Sequence, residues 1–296
     1  MTSDDDSGAL RPRRRHVLRA ATATVLGAGV VTGTGAGILR ALNSDDGSSG
    51  GRLLLQTDAT SGVGILEKPL ADLGLAKTGD GLWETPVLDT ALVTMVGFTW
   101  RDGGRPPKIL ARFRTRGGWS LWRPAPLLRD VPDPSSGEGI GKAGTTPLVV
   151  EPSDGVQVQV AGTVPPELSI TLIHAAPIAG DARLLAGTTS RSLARAAAVT
   201  VPVPTIYTRA QWGADESWRD GAPRYNSTIL QAHVHHSASG NGYTQADVPA
   251  LIRSFYKYHT HSLGWSDIAY NFLIDSFGTI WAVSYTHLTL PTILRV

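Results

Sequence analysis

The 296-residue chain contains no cysteine. That excludes a disulfide framework even if the protein leaves the cytosol, and it leaves His, Asp and Glu as the side chains able to hold a metal. Charge is also sparse: 18% of residues are Asp, Glu, Lys or Arg, and the formal net charge is +2. The arginines are scattered, so no basic stripe for nucleic acid is present. What is plentiful is glycine and proline, 33 and 19 residues, about 18% of the chain. That exceeds ordinary usage and stays below a disordered composition. The length suits about two folded, turn-rich domains, and 42% apolar residues are enough for a sizeable core.

The amino terminus reads as an address. Arg13-Arg14-Arg15-His16-Val17-Leu18-Arg19 precedes an uncharged stretch, residues 20–39, whose five glycines keep its hydrophobicity low. Adjacent arginines ahead of a weakly apolar run resemble a twin-arginine export signal, here assigned to residues 1–42; a retained anchor is the alternative. No clear small-residue cleavage site precedes Asn43. Residues 43–52 are a linker. The localisation expected is secreted or associated with the cell wall, with membrane contact only through the signal.

From residue 53 to 185 the pattern has period two. Ile109, Ala111 and Phe113 alternate with Leu110, Arg112 and Arg114, and Gly117-Gly118 followed by Trp119 to Arg123 predicts a hairpin with a two-residue turn. Asp154-Gly155 predicts another turn, followed by a strand over 156–160, and residues 168–174 predict one more. Short strands with almost no helical periodicity predict a β-rich, sandwich-like domain over 53–185. Trp119 and Trp122 suit sugar stacking, but three residues apart on one strand they point to opposite faces, which favours one core and one exposed tryptophan. His174 reads as structural. Residues 186–204, ending Val201-Pro202-Val203-Pro204, form an extended connector.

The remaining segment carries the chemistry. His233, His235 and His236 lie in or just after a β-rich run over 228–234, and on a strand His233 and His235 share a face. Two imidazoles fall short of the three protein ligands of a catalytic zinc, so the cluster reads either as part of a metal site or as a polar strand end. Thr244 with Asp247 resembles a capping box, and Val248, Leu251, Ile252, Phe255 and His259 follow at helical spacing. Tyr270, Phe272 and Ile274 would share one face of a following strand, and Ser276-Phe277-Gly278 would turn it back.

Four ordered blocks then become recognisable: Arg209-Ala210-Gln211-Trp212-Gly213-Ala214, Val234-His235-His236-Ser237-Ala238, Gly264-Trp265-Ser266-Asp267-Ile268-Ala269-Tyr270-Asn271-Phe272 and Asp275-Ser276-Phe277-Gly278-Thr279-Ile280. Together they resemble the peptidoglycan recognition protein family, which belongs with the zinc-dependent, type 2 phage-lysozyme-like N-acetylmuramoyl-L-alanine amidases. The resemblance covers about residues 206–281. It implies an α/β domain over 205–281 with a central mixed sheet, α+β overall, and a groove for the peptide stem and muramic acid. By the same resemblance His235 is a zinc ligand and Tyr270 assists catalysis. It further implies hydrolysis of the amide between N-acetylmuramic acid and L-alanine, one zinc ion as cofactor, peptidoglycan or muramyl peptide as partner, and a monomer. Trp212 and Trp265 read as packing or groove-wall residues, and Asp267 as a backbone-binding carboxylate. Non-catalytic recognition of wall peptides is the alternative on the same fold.

After Trp281 the family's pattern stops. The run over 283–292 resembles an in-frame translation of a sequencing adapter, so residues 282–296 are expected to be artefactual and the amidase domain truncated; a divergent terminal strand is the alternative. The expectation for this chain is therefore weak or no zinc binding and no amidase activity.

Overall fold

The computed structural model describes residues 51–129, 131–132, 141–188, 204–225, 227–228, 232–237 and 240–285. The chain divides into Met1–Gly47 and Ser48–Val296. The first unit, and with it the expected export signal, lies outside the described residues, as do residues 189–203 of the connector and 286–296 of the tail. All described residues belong to the second unit. No helix among them is long and apolar enough to cross a membrane.

Eleven strands form one curled, antiparallel sheet: β1 (Gln56–Thr57), β2 (Val63–Pro69), β3 (Ala76–Gly79), β4 (Leu82–Glu84), β5 (Leu88–Arg101), β6 (Lys108–Thr115), β7 (Gly118–Trp119), β8 (Arg123–Ala125), β9 (Lys142–Gly144), β10 (Leu148–Ala161) and β11 (Ser169–Ala175). The main path runs β1-β2-β11-β5-β10-β4-β3, with β6 beside β10 carrying β7 and β8, and β9 on β5. The two fourteen-residue strands make the curl. β10 pairs with β5 through its first half and with β6 through its second, and its register against β5 shifts on both sides of Ser153. Such a shift bends a strand and lets one ribbon serve two layers. Asp154-Gly155 therefore does not form the expected turn; it lies inside β10, at the bend.

The core between the layers is filled by alternate residues, Ile109, Ala111 and Phe113 from β6, Val156, Val158 and Val160 from β10, and Val96, Phe98 and Trp100 from β5. Period two thus reads correctly here because each strand has one face on this core. The expected hairpin exists, one residue earlier than predicted: Thr115 pairs with Gly118, so the loop is Arg116-Gly117, and Gly118 opens the return strand at φ 103°. That strand breaks after Trp119, so the alternation that separated the two tryptophans does not hold. Both flank the Arg112 guanidinium, 5.1 and 4.8 Å from its central carbon, and neither joins the core.

The stretch of β5 from Met95 to Trp100 is buried on both faces. Val96, Phe98 and Trp100 fill the sandwich, whereas Met95 belongs to a second apolar cluster shared with Ile173, Ala175, Trp212, Ile252, Phe255 and Trp281. The second cluster is closed by the carboxy-terminal segment. After β11 come α1 (Ala179–Thr188), β12 (Ile206–Tyr207), α2 (Val248–Lys257), a π-helical turn (Tyr258–Ser262), β13 (Phe272–Ile274) and β14 (Ile280–Ala282). β12 lies parallel and β13 antiparallel to β14, a small mixed sheet, so the chain is α+β as expected.

Helix α2 starts as the sequence predicts. The Asp247 carboxylate accepts from the Thr244 amide at 2.8 Å and hydroxyl at 2.7 Å, and Pro249 sits in the first turn, where a missing N–H costs nothing. Val248, Ile252 and Phe255 pack toward the sheet.

Buried polar contacts help fix this helix and its π turn to the sandwich. Arg253, fully buried, makes a two-pronged ion pair with Asp181 (2.9 and 2.8 Å) and donates to the carbonyls of Trp212 and Ala176. The Tyr258 hydroxyl reaches the carbonyls of Phe98 and Thr145, 3.2 and 3.0 Å away, and its ring occupies the space that a Cβ on Gly97 would take. The hydroxyls of Thr171 and Ser262 meet at 3.0 Å in the same buried layer.

Candidate functional site

Residues 264–282 build a rigid shelf. Asp275 organises the β13–β14 turn: Oδ1 accepts the amides of Phe277 and Thr279, Oδ2 accepts the Trp281 indole N–H, and Gly278 takes φ 83°. Arg209 bridges the shelf to the turn over 208–214. Its guanidinium donates to Glu216 (2.8 and 3.2 Å), to Asp267 (3.0 Å) and to the Val283 carbonyl. Burial opposes its charge, but the hydrogen bonds to Glu216 and the Asp267 charge outweigh that and hold its pKa above the usual arginine value. Asp267 also accepts the Ile268 amide and the Ser284 hydroxyl. The Trp212 indole donates to the Ala282 carbonyl at 2.9 Å. Most of the recognisable blocks are thus scaffold, and Val283 and Ser284, within the tail expected to be artefactual, are buried partners of that scaffold.

On this shelf Tyr270 stands between two imidazoles. Its ring centre is 5.3 Å from that of His235 and 6.3 Å from that of His259. Beside it lies a small cleft of about 50 Å³ lined by Ser237, Tyr243, Leu273, Ile274 and Asp275 among others. The expected strand face is altered, because β13 spans only Phe272–Ile274 and begins after Tyr270. Tyr270 and Leu273 both pack against the second apolar cluster, whereas Ile274 is 68% exposed.

The histidine run also differs from expectation. Described residues 232–237 form no strand, so the strict alternation of His233 and His235 does not apply. All three histidines are exposed, and Val234 beside them is 95% exposed. The His235 Nδ1 lies 3.0 Å from the His236 carbonyl, which accepts its N–H. His259, placed by the sequence at helical spacing after Phe255, lies beyond the end of α2. It is fully buried in the π turn, stacks on Trp265 at 4.8 Å, and accepts the Ala269 amide at Nδ1. Burial pushes its pKa down to about 3, so at neutral pH it is an uncharged wall behind Tyr270. The only sequence signal for this was its place on the apolar face of the predicted helix.

The fit to zinc is poor among the described residues. No three His, Cys, Asp or Glu side chains converge there. His235 is exposed enough to ligate, but a catalytic zinc takes three protein donors, and His259 has its Nδ1 engaged and its ring enclosed. The arrangement can hydrogen-bond and stack on a polar ligand in the cleft through Tyr270, Tyr243 and Ser237.

Two comparisons find proteins to which the chain is similar. A family profile described as "Rv3811 N-terminal galactose-binding domain-like" matches residues 58–201, the sandwich together with most of the connector. The chain is also similar, over about a quarter of its length, to proteins named for peptidoglycan recognition. Peptidoglycan-recognition protein SC1a of Drosophila melanogaster is 38% identical over 77 residues, 26% of this chain and 40% of that protein. Peptidoglycan-recognition protein SC2 of Drosophila simulans is 32% identical over 90 residues, 29% and 48% respectively. Peptidoglycan-recognition protein 1 of Holotrichia diomphalia is 33% identical over 79 residues, 26% and 39%. The chain therefore spans less than half the length of these curated relatives. No solved structure gives a significant match.

Proposed function

We propose that residues 205–285 recognise peptidoglycan, holding the muramic acid and peptide stem along the cleft beside β13. The observation that carries this reading is the meeting of Tyr270 and Ser237, drawn from two of the recognisable blocks, in the lining of that cleft, with the His235 ring 5.3 Å from that of Tyr270. The Tyr270 hydroxyl is the natural donor to a stem carbonyl, and Leu273 and Ile274 supply an apolar wall for the peptide.

Hydrolysis of the amide between N-acetylmuramic acid and L-alanine, with zinc as cofactor and His235 as one ligand, is the finer reading. It needs two further metal donors at His235, and the described residues do not supply them. The expected behaviour of this chain is stem binding without release of peptide. The arginine-rich, weakly apolar amino terminus supports export as the route by which the protein meets the wall.

Calorimetric titration with a synthetic muramyl tripeptide tests the reading. Binding is expected, with Tyr270→Phe weakening it about tenfold. Absence of binding by the unmodified chain would refute it. Zinc-dependent release of free stem peptide, lost in His235→Ala, would establish the catalytic reading instead of the recognition one.

A further inference from the structure

The outer face of the sandwich combines groups that the cleft beside β13 does not use. Strand β6 turns Ile109, Ala111 and Phe113 inward, which leaves Arg112 and Arg114 on the opposite face. Across the ladder Arg112 pairs in register with Gln157, and Gln159 with Glu84. The side chains are joined in one chain of hydrogen bonds. Arg112 donates Nε and Nη2 to the Gln157 carbonyl oxygen, and the amides of Gln157 and Gln159 donate to the two Glu84 carboxylate oxygens at 2.6 and 2.8 Å. Trp119 and Trp122 lie against the same guanidinium, so both rings are held within about 10 Å of each other. Trp119 remains 37% exposed, and Leu121 between them is 88% exposed. Next to Trp119, Arg114 pairs with Asp89 and Asp154, and with Arg52 these residues line an open cleft of about 320 Å³.

We infer that this face is a glycan-binding platform: Trp119 and Trp122 stack on successive pyranose rings, while Gln159, Glu84 and the Arg114 cleft hydrogen-bond their hydroxyl and acetamido groups. A pyranose offers an apolar C–H face and a rim of polar groups. A rigid indole suits the first at low entropic cost, and a pre-ordered amide and carboxylate array suits the second. Arg112 serves as a positioning residue that fixes both rings before a ligand arrives. Charge selects the occupant. Arg52, Arg112 and Arg114 are balanced by Glu84, Asp89 and Asp154, so the face matches an uncharged strand rather than an anionic polymer. The choice of an N-acetylated hexosamine strand rests on the peptidoglycan reading above; the platform itself rests on the geometry of β6, β7 and β10.

The test is calorimetric titration of the full chain with a β-linked N-acetylglucosamine oligomer, which carries neither peptide nor charge. Binding is expected, with Trp119→Ala lowering affinity about tenfold and leaving muramyl tripeptide binding unchanged. Because Trp119 is surface-exposed, its variant is expected to melt like the parent, and Arg112→Lys, which keeps the charge but loses the planar contact with both rings, should weaken binding about threefold. No binding of the oligomer by the unmodified chain, or undiminished binding by Trp119→Ala, would overturn the platform. Binding that disappears at about 0.5 M salt would equally overturn it, because that marks a charged ligand. Oligomer binding without muramyl tripeptide binding would instead refute only the stem reading.

Discussion

The sandwich and the segment over 204–285 close their cores in different ways. In the sandwich, β5, β6 and β10 each send alternate residues into a core that the strands themselves enclose. Among its described residues the carboxy-terminal segment has three short strands, one ten-residue helix and a few single helical turns, and it finishes its core by borrowing Val63, Met95, Ile173 and Ala175 from the sandwich. A helix and a three-stranded sheet bury too little apolar surface to stand alone, so the outer face of β2, β11 and β5 supplies the missing wall. The lesson lies in β5: a strand with cores on both faces loses its polar alternation, and the small residue Gly97 marks where a neighbour enters.

The strongest way to break this joint is through its buried ion pair. Asp181→Ala leaves Arg253 enclosed without its carboxylate and should cost about 3–5 kcal/mol, read as a lower denaturant midpoint of the full chain, whereas Asp181→Leu with Arg253→Met should recover most of it. An unshifted midpoint for Asp181→Ala would mean the two regions are held independently. Gly97→Ala drives a methyl into the Tyr258 ring and should cost about 1–3 kcal/mol. Hydrogen exchange should show residues 248–262 losing protection before β6 and β10.

The pH dependence separates the regions further. His259 has a folded pKa of about 3, below its ordinary 6.5, so between those values the unfolded chain binds the extra proton. Stability should therefore fall as pH drops through that window, by up to about 1.4 kcal/mol per unit, and His259→Phe should flatten the slope of melting temperature against pH. The smallest effect belongs to the helix cap, far from the joint: Asp247→Ala should cost about 1 kcal/mol in the same melting assay.

Much of this was legible in the residues. The inward set of β6, the strand over 168–174 and the start of α2 follow from period two, period 3.6 and a cap, because these are local preferences that the tertiary structure happens to support. Asp154-Gly155 misled because the same dipeptide serves a turn or a bend within a long strand, and only the partners of β10 distinguish them. Trp119 and Trp122 misled because alternation assumes an unbroken strand, and this one breaks between them. His259 was hidden because nothing local to a helix end reports which side chain a neighbouring loop will enclose.

Composition and spacing alone determine that this is a cysteine-free, turn-rich chain with a β-rich middle, and four ordered blocks after it resemble the peptidoglycan-recognition proteins. That resemblance, and not composition or spacing, singles out Tyr270 and His235 as candidates. Contact between distant segments decides the rest: that Arg253 finds Asp181, that Tyr258 fills the notch at Gly97, that a neutral His259 backs Tyr270, and that Arg112 draws two tryptophans onto one face. The physical reason is that local preferences act over a few residues. Burial, charge pairing and ring stacking between segments far apart in the chain depend on which surfaces the folded layers bring together.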